Sequence, residues 1–136
     1  MKTTFTNDFV HGDLSYKIIG CALSVYNSIG PGCVEKVYQK ALAIAFKDAG
    51  LLFTEQASCD IYFQGKKVGV RRADFIVEEK IILELKRGND FIAADFNQLK
   101  EYLIAKNMEL GILFRFAGDR LYYKRVANIR GYQKSA

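Results

Sequence analysis

Apolar residues recur at helical spacing in the first third of the chain. Leu14, Ile18, Cys21, Ala22, Val25 and Ile29 mark one stripe, which predicts an amphipathic helix over 13–29 with Asp13 as its N-cap. The "GPG" at 30–32 stops that helix and starts another. Its stripe is Val34, Val37, Tyr38, Ala41, Leu42, Ala45 and Phe46, with Gly50 as C-terminal cap. The two helices should pack as a hairpin. The pattern then shifts to strands: "CDIYFQG", a turn near Gly65 to Lys67, "VGVRRADFIV" and "IILELKRG". "GND" breaks the sheet, and Asn89 or Asp90 caps a helix to about Lys106 with Phe91, Ala94, Leu99 and Leu103 in its core stripe. "LGILFRF" and "RLYYKRV" close the chain as two strands around "AGD". The order ααβββαββ, a meander followed by a helical crossover, defines an α/β class with a mixed sheet and helices packed on it.

One feature resists this pattern. "RRADFIVEEKIILELK" places Asp74, Glu84 and Lys86 among strand-forming apolar residues, and buried charges are costly unless paired or metal-bound. Side chains alternate along a strand, so Arg72, Asp74 and Ile76 share one face, as do Ile82, Glu84 and Lys86. With "EEK" at 78–80 as the hairpin loop, cross-strand partners have numbers that sum to 158. Asp74 then lies opposite Glu84, and Arg72 opposite Lys86. A slip of one residue would send one strand's charges to the other face. The loop has no glycine for a left-handed position, a modest local cost. Facing carboxylates repel unless a positive charge lies between them. A hard divalent cation such as Mg²⁺ meets that need, and the backbone carbonyl of Leu85 is a further candidate ligand. Lys86 shares Glu84's face and is in position for a phosphate oxygen. An ordinary charged strand face is the blander reading, but "IILEL" is nearly all apolar and therefore predicts an interior strand, where unpaired carboxylates are disfavoured.

Helices offer further candidates. Glu35 and Tyr38 in "GCVEKVY" are neighbours on a helix surface, and Glu35 is close enough to the helix start to complement the dipole. Asp95, Gln98 and Tyr102 share a helix face at spacings of three and four.

Bulk properties narrow the field. At 136 residues, half of them hydrophobic, with one Pro and no linker or repeat, the chain is expected to form one domain over 1–136. Its N-terminus is too polar for a signal peptide and no apolar run would span a bilayer, so the default expectation is a cytoplasmic protein with no membrane partner. Cys21, Cys33 and Cys59 are far apart, there is no CxxC, and His11 is the only histidine. A structural zinc or a disulfide framework is therefore disfavoured. The net charge of +5 suits a polyanionic partner. From Arg120 onward, Arg120, Lys124, Arg125, Arg130 and Lys134 interleave with Tyr122, Tyr123 and Tyr132, without a carboxylate side chain. That run is either a solvated strand and tail or part of a phosphate-contacting surface.

At these residues the chain resembles a known family. "GCVEKVY" is similar to the signature of the GxxExxY family, and "RADFIV…ILELK" to the core of the PD-(D/E)XK nuclease superfamily that contains it. The likeness runs from "LSYKIIG" to "YYKRV". It implies a restriction-endonuclease-like fold in which Asp74 and Glu84 hold a catalytic divalent metal, Mg²⁺ or Mn²⁺, and Lys86 assists the reaction. Glu35 matches the helical glutamate that supports the metal, and Gln98 the glutamine after the ExK strand, with Tyr102 one turn on. Arg72 and Tyr38 are second-tier candidates for phosphate contact. The chain departs from the family pattern at Tyr26 and Asp95, where many relatives carry histidine, at Glu79, often Gly, and at Arg115, often Asn. The implied function is metal-dependent hydrolysis of phosphodiester bonds in nucleic acid, with DNA favoured over RNA. A homodimer would suit cutting of both strands. The alternative is a non-catalytic nucleic-acid- or protein-binding module on the same fold.

Overall fold

The structure, a computed structural model, describes residues 11–87 and 90–128. Helices α1 (Gly12–Ile29) and α2 (Glu35–Asp48) precede strands β1 (Phe53–Phe63), β2 (Lys66–Val77) and β3 (Ile81–Lys86). Helix α3 (Ala93–Lys106) then leads to β4 (Leu110–Phe116) and β5 (Leu121–Ala127). The five strands lie in chain order. Only the β3–β4 pair is parallel, because α3 carries the chain back across the sheet between them; the other neighbours are antiparallel. This is the α/β mixed sheet expected from the sequence, in the order ααβββαββ.

Both sheet faces are covered. α1 and α2 bury Ile18, Ala22, Leu42 and Phe46 against Phe75, Val77, Leu83, Ile112 and Phe114. On the other face Leu99, Tyr102 and Leu103 of α3 pack on Ala73, Ile76, Ile82 and Leu113. β3 lies at the centre with neighbours on each side, so its five residues from Ile81 to Leu85 are all buried. That explains its unbroken apolar run.

Several boundaries differ from the sequence reading. His11, not Asp13, occupies the cap position of α1, where its carbonyl accepts from Ser15 N–H at 2.8 Å; Asp13 sits in the first turn, favoured by the dipole. β1 begins at Phe53, six residues before Cys59. Thr54, Glu55, Gln56 and Ser58 are exposed on this edge strand, so no apolar alternation marks it. β3 stops at Lys86. α3 starts at Ala93, where Asp95 reaches back to accept from Ile92 N–H at 3.1 Å. Asp90 is therefore not the cap, and Asn89 lies outside the described residues. Ala94 faces solvent rather than the core. Arg130, Tyr132 and Lys134 also lie outside the described residues.

The "EEK" loop is the β2–β3 turn. Glu78 and Glu79 both adopt positive φ, 54° and 57°, the left-handed region that non-glycine residues disfavour. Glu78 is held there by two reciprocal bonds with Leu52: its N–H donates to the Leu52 carbonyl at 2.8 Å, and its Oε2 accepts from Leu52 N–H at 2.7 Å.

Candidate active site

The site begins where β2 and β3 part. Their ladder follows the expected register, with Val77 opposite Ile81, Ile76 opposite Ile82 and Phe75 opposite Leu83, and no paired residues beyond. In place of the next ladder bonds, Leu85 N–H donates to Asp74 Oδ2 at 2.7 Å and Asp74 N–H donates to Glu84 Oε2 at 3.3 Å. Two carboxylates thus substitute for backbone carbonyls and wedge the strands apart. The alternation of β2 also breaks here. Ala73 and Ile76 pack toward α3 while Phe75 and Val77 pack toward the helical hairpin, so Asp74 projects sideways into the fork. β1 has a matching irregularity: Gln56, across from Asp74 by register, has φ 48° and its side-chain amide donates to Asp74 Oδ1 at 3.3 Å. Arg72 lies beyond the fork. It is not opposite Lys86 but contacts Ser58 Oγ on β1 at 3.4 Å.

Burial sets the electrostatics. Glu84 is 5% exposed, and loss of solvent, followed by the neighbouring Asp74 charge, pushes its carboxyl up to about 8. Burial also raises the Asp74 carboxyl, against the pull of the Leu85 amide, Gln56 and Lys86. Glu35 is raised by burial and then by Asp74, which brings it into the same electrostatic cluster from α2. Lys86 Nζ donates to Gln98 Oε1 at 3.0 Å and lies 3.8 Å from Asp95 Oδ1 and 4.0 Å from Glu84 Oε1. Gln98 in turn bonds Tyr102, whose hydroxyl donates to the Arg72 carbonyl at 3.1 Å. This chain of bonds ties Lys86 through α3 back to β2. Glu35, Leu85, Lys86 and Arg87 line one cleft of about 240 Å³, closed by Phe116, Ala117 and the "GPG" loop.

Two candidates have structural duties. Tyr38 lines the cleft, but its ring is stacked on Phe116 at 4.1 Å and its hydroxyl donates to the Gly30 carbonyl at 2.7 Å. With Gly30 and Gly32 at φ 72° and 93°, it clasps the loop that delivers Glu35, so its hydroxyl is not presented to a phosphate. Tyr102 is 3% exposed, its hydroxyl pushed up to about 12 by burial and Glu84; it braces Gln98 and β2 rather than facing solvent.

Other residues were not singled out from the sequence for the roles they hold here. Gln56 left no signal, because its role depends on a strand irregularity. Arg115 did leave one, being a charge inside the apolar run "LGILFRF". It is 1% exposed, its guanidinium donates to the Arg87 carbonyl and to Asp95 Oδ2, the latter at 3.4 Å, and it lies 4.5 Å from the Phe91 ring centre. Two departures from the family pattern, Asp95 and Arg115, are therefore partners in one ion pair beside Lys86.

The donor set fits a hard divalent cation. Asp74 Oδ2 and Glu84 Oε2 are engaged by backbone N–H groups, leaving Oδ1 and Oε1 facing side chains only. Two such oxygens on adjacent strands, with burial and then the Asp74 charge raising the Glu84 carboxyl, match the ligand preference of a hard divalent cation. Among the described residues no three His, Cys, Asp or Glu side chains converge tightly enough to complete a cage.

A five-stranded mixed sheet that opens over an Asp and an E-x-K pair is the architecture of restriction-endonuclease-like proteins. The PD-(D/E)XK nuclease superfamily model matches residues 12–126, and the chain belongs to that superfamily, whose members generally use divalent metal ions. No curated protein matches the chain. Among solved structures, SSO0001 is 22% identical with a TM-score of 0.53, covering 68% of this chain; this chain spans about half, 49%, of that one. An alkaline exonuclease (LHK-Exo) from Laribacter hongkongensis is 11% identical with a TM-score of 0.48, covering 89% of this chain and 86% of its own.

Proposed function

We propose that this protein is a Mg²⁺- or Mn²⁺-dependent nuclease of the GxxExxY branch that hydrolyses phosphodiester bonds, with DNA as the favoured substrate. The observation that carries this reading is the fork: Asp74 and Glu84 split the β2–β3 ladder, each keeps one oxygen clear of backbone bonds, and Lys86 stands beside them. Asp74 and Glu84 would hold the metal, with Glu35 electrostatically coupled to Asp74 and the Leu85 carbonyl as a further ligand; Glu35 and Leu85 also line the cleft beside them. When bound, the metal lowers the pKa of a water molecule and polarises the phosphate. Lys86 supplies a positive charge at the cleft wall, where negative charge grows on the transferring phosphoryl group. Gln98 and Asp95 fix the ammonium from two sides, and Glu35 adds a carboxylate that can take up a proton within the cleft. The basic surplus of the chain suits a polyanion.

Calorimetric titration with Mn²⁺ separates this reading from a binding module on the same fold. The wild type should bind the ion, and Asp74→Ala should abolish the heat while circular dichroism stays unchanged. Absence of metal binding in the wild type, with salt-sensitive DNA binding retained, would favour the module.

A further inference from the structure

A second recess lies on the α3 side of the sheet, next to the cleft. It measures about 670 Å³ and is lined by Phe91, Phe96, Tyr122, Arg120, Lys124 and Asp90, with Tyr123 at its edge. The loop after β4 contributes to both: Ala117 and Gly118 wall the cleft and Arg120 walls the recess. A chain of contacts also joins them. Phe91 lies 4.5 Å from the Arg115 guanidinium, Arg115 is 3.4 Å from Asp95, and Asp95 is 3.8 Å from Lys86.

The recess combines aromatic faces with cations. Phe91 and Phe96 meet at 6.0 Å with planes inclined by 60°. Tyr122 is fixed by a bond from its hydroxyl to Asp119 Oδ2 at 2.7 Å, and the Arg120 guanidinium lies 4.7 Å from its ring centre. A planar cation over a tyrosine occupies the space and the orientation that a stacked base would take, since bases stack on both aromatic rings and guanidinium planes. Arg120 and Lys124 are exposed at the rim, in reach of backbone phosphates, and Asp90 offers an acceptor to an exocyclic amino group.

We infer that this recess is a stacking site for an unpaired nucleotide adjoining the scissile phosphate, so that the substrate class is single-stranded or frayed nucleic acid. This rests on the nuclease reading for the position of the scissile phosphate. A base within a duplex offers its edges, not its face, and cannot lie on Tyr122. Arg120, Tyr122 and Lys124 thereby gain a role beyond a solvated strand.

The test needs neither metal nor turnover. The chain contains no Trp, so Tyr122→Trp introduces a lone indole at the stacking face, excited selectively over the tyrosines. Single-stranded oligothymidine in EDTA should quench its emission, and a blunt duplex of equal length should not. Tyr122→Leu, which keeps the strand, and Lys124→Ala should each weaken oligothymidine binding by anisotropy, the former by about tenfold. Equal quenching by the duplex, no quenching by either, or wild-type affinity in Tyr122→Leu would overturn the inference. Loss of this binding with cleavage intact removes the stacking site alone; quenching without cleavage by the wild type removes the nuclease reading alone.

Discussion

Glu84 carries the largest electrostatic load among the candidate site residues. Its carboxyl ionises near 4.5 in an unfolded chain and at about 8 in the folded one. Between those values the folded state holds a proton the unfolded state has lost, so the metal-free protein loses stability as pH rises from about 4.5 to about 8 and levels off above that. Removing the charge while keeping the shape should reverse the loss. Glu84→Gln should raise the melting temperature in EDTA at about pH 9, by a gain on the order of 1–3 kcal/mol, and make no difference at about pH 4. Thermal melts of the two proteins across that range check it; a pH-independent difference would contradict this origin for the strain. Asp74 and Glu84 were legible as neighbours because the register about Glu79 set them across from each other, whereas the break in β2 alternation that turns Asp74 into the fork was not. Gln56 and the Asp95–Arg115 pair were not, since their contacts arise between segments far apart in sequence.

At the scale of elements, the fork between β2 and β3 is what turns a hairpin into a site. The register about Glu79 followed from taking "EEK" as the hairpin loop, with apolar alternation helping to fix it where backbone pairing persists. It could not reveal where pairing ends, because that depends on Asp74 and Glu84 outcompeting carbonyls for the Leu85 and Asp74 amides. The start of β1 was hidden for another reason, as an exposed edge strand carries no apolar alternation to read. α3 holds the fork from one side, and its distance from the sheet is set at Gly111. A Cβ there would come within 2.7 Å of Leu99 Cδ1 and 2.8 Å of Leu99 Cγ, and Leu99 is fully buried, so a shift of its side chain must disturb the packing around it. Gly111→Ala should therefore lift α3, cost about 1–3 kcal/mol in urea unfolding, and loosen the Gln98–Lys86 bond. Unchanged stability would show that the helix–sheet spacing tolerates a methyl group.

Taken as a whole, the molecule brings residues from three layers to the end of its central strand: Glu35 from the helical hairpin, Asp74, Glu84 and Lys86 from the sheet, and Gln98 from α3. The order of elements and the mixed sheet were readable from periodicity, and the candidates Asp74, Glu84 and Lys86 stood out as charges placed where a core should be. The loop clasp by Tyr38 and the bracing by Tyr102 were not, because a tyrosine beside a candidate carboxylate looks the same in sequence whether its hydroxyl faces substrate or backbone. No helix among the described residues is long and apolar enough to cross a membrane. The direct test is cleavage of labelled single- and double-stranded DNA and RNA in Mg²⁺ or Mn²⁺, wild type beside Glu84→Gln and Lys86→Ala. The account predicts metal-dependent cutting by the wild type, strongest on single-stranded DNA, and a loss of at least about 100-fold in each variant. Cutting that proceeds equally in Lys86→Ala, in Glu84→Gln or in EDTA would contradict it.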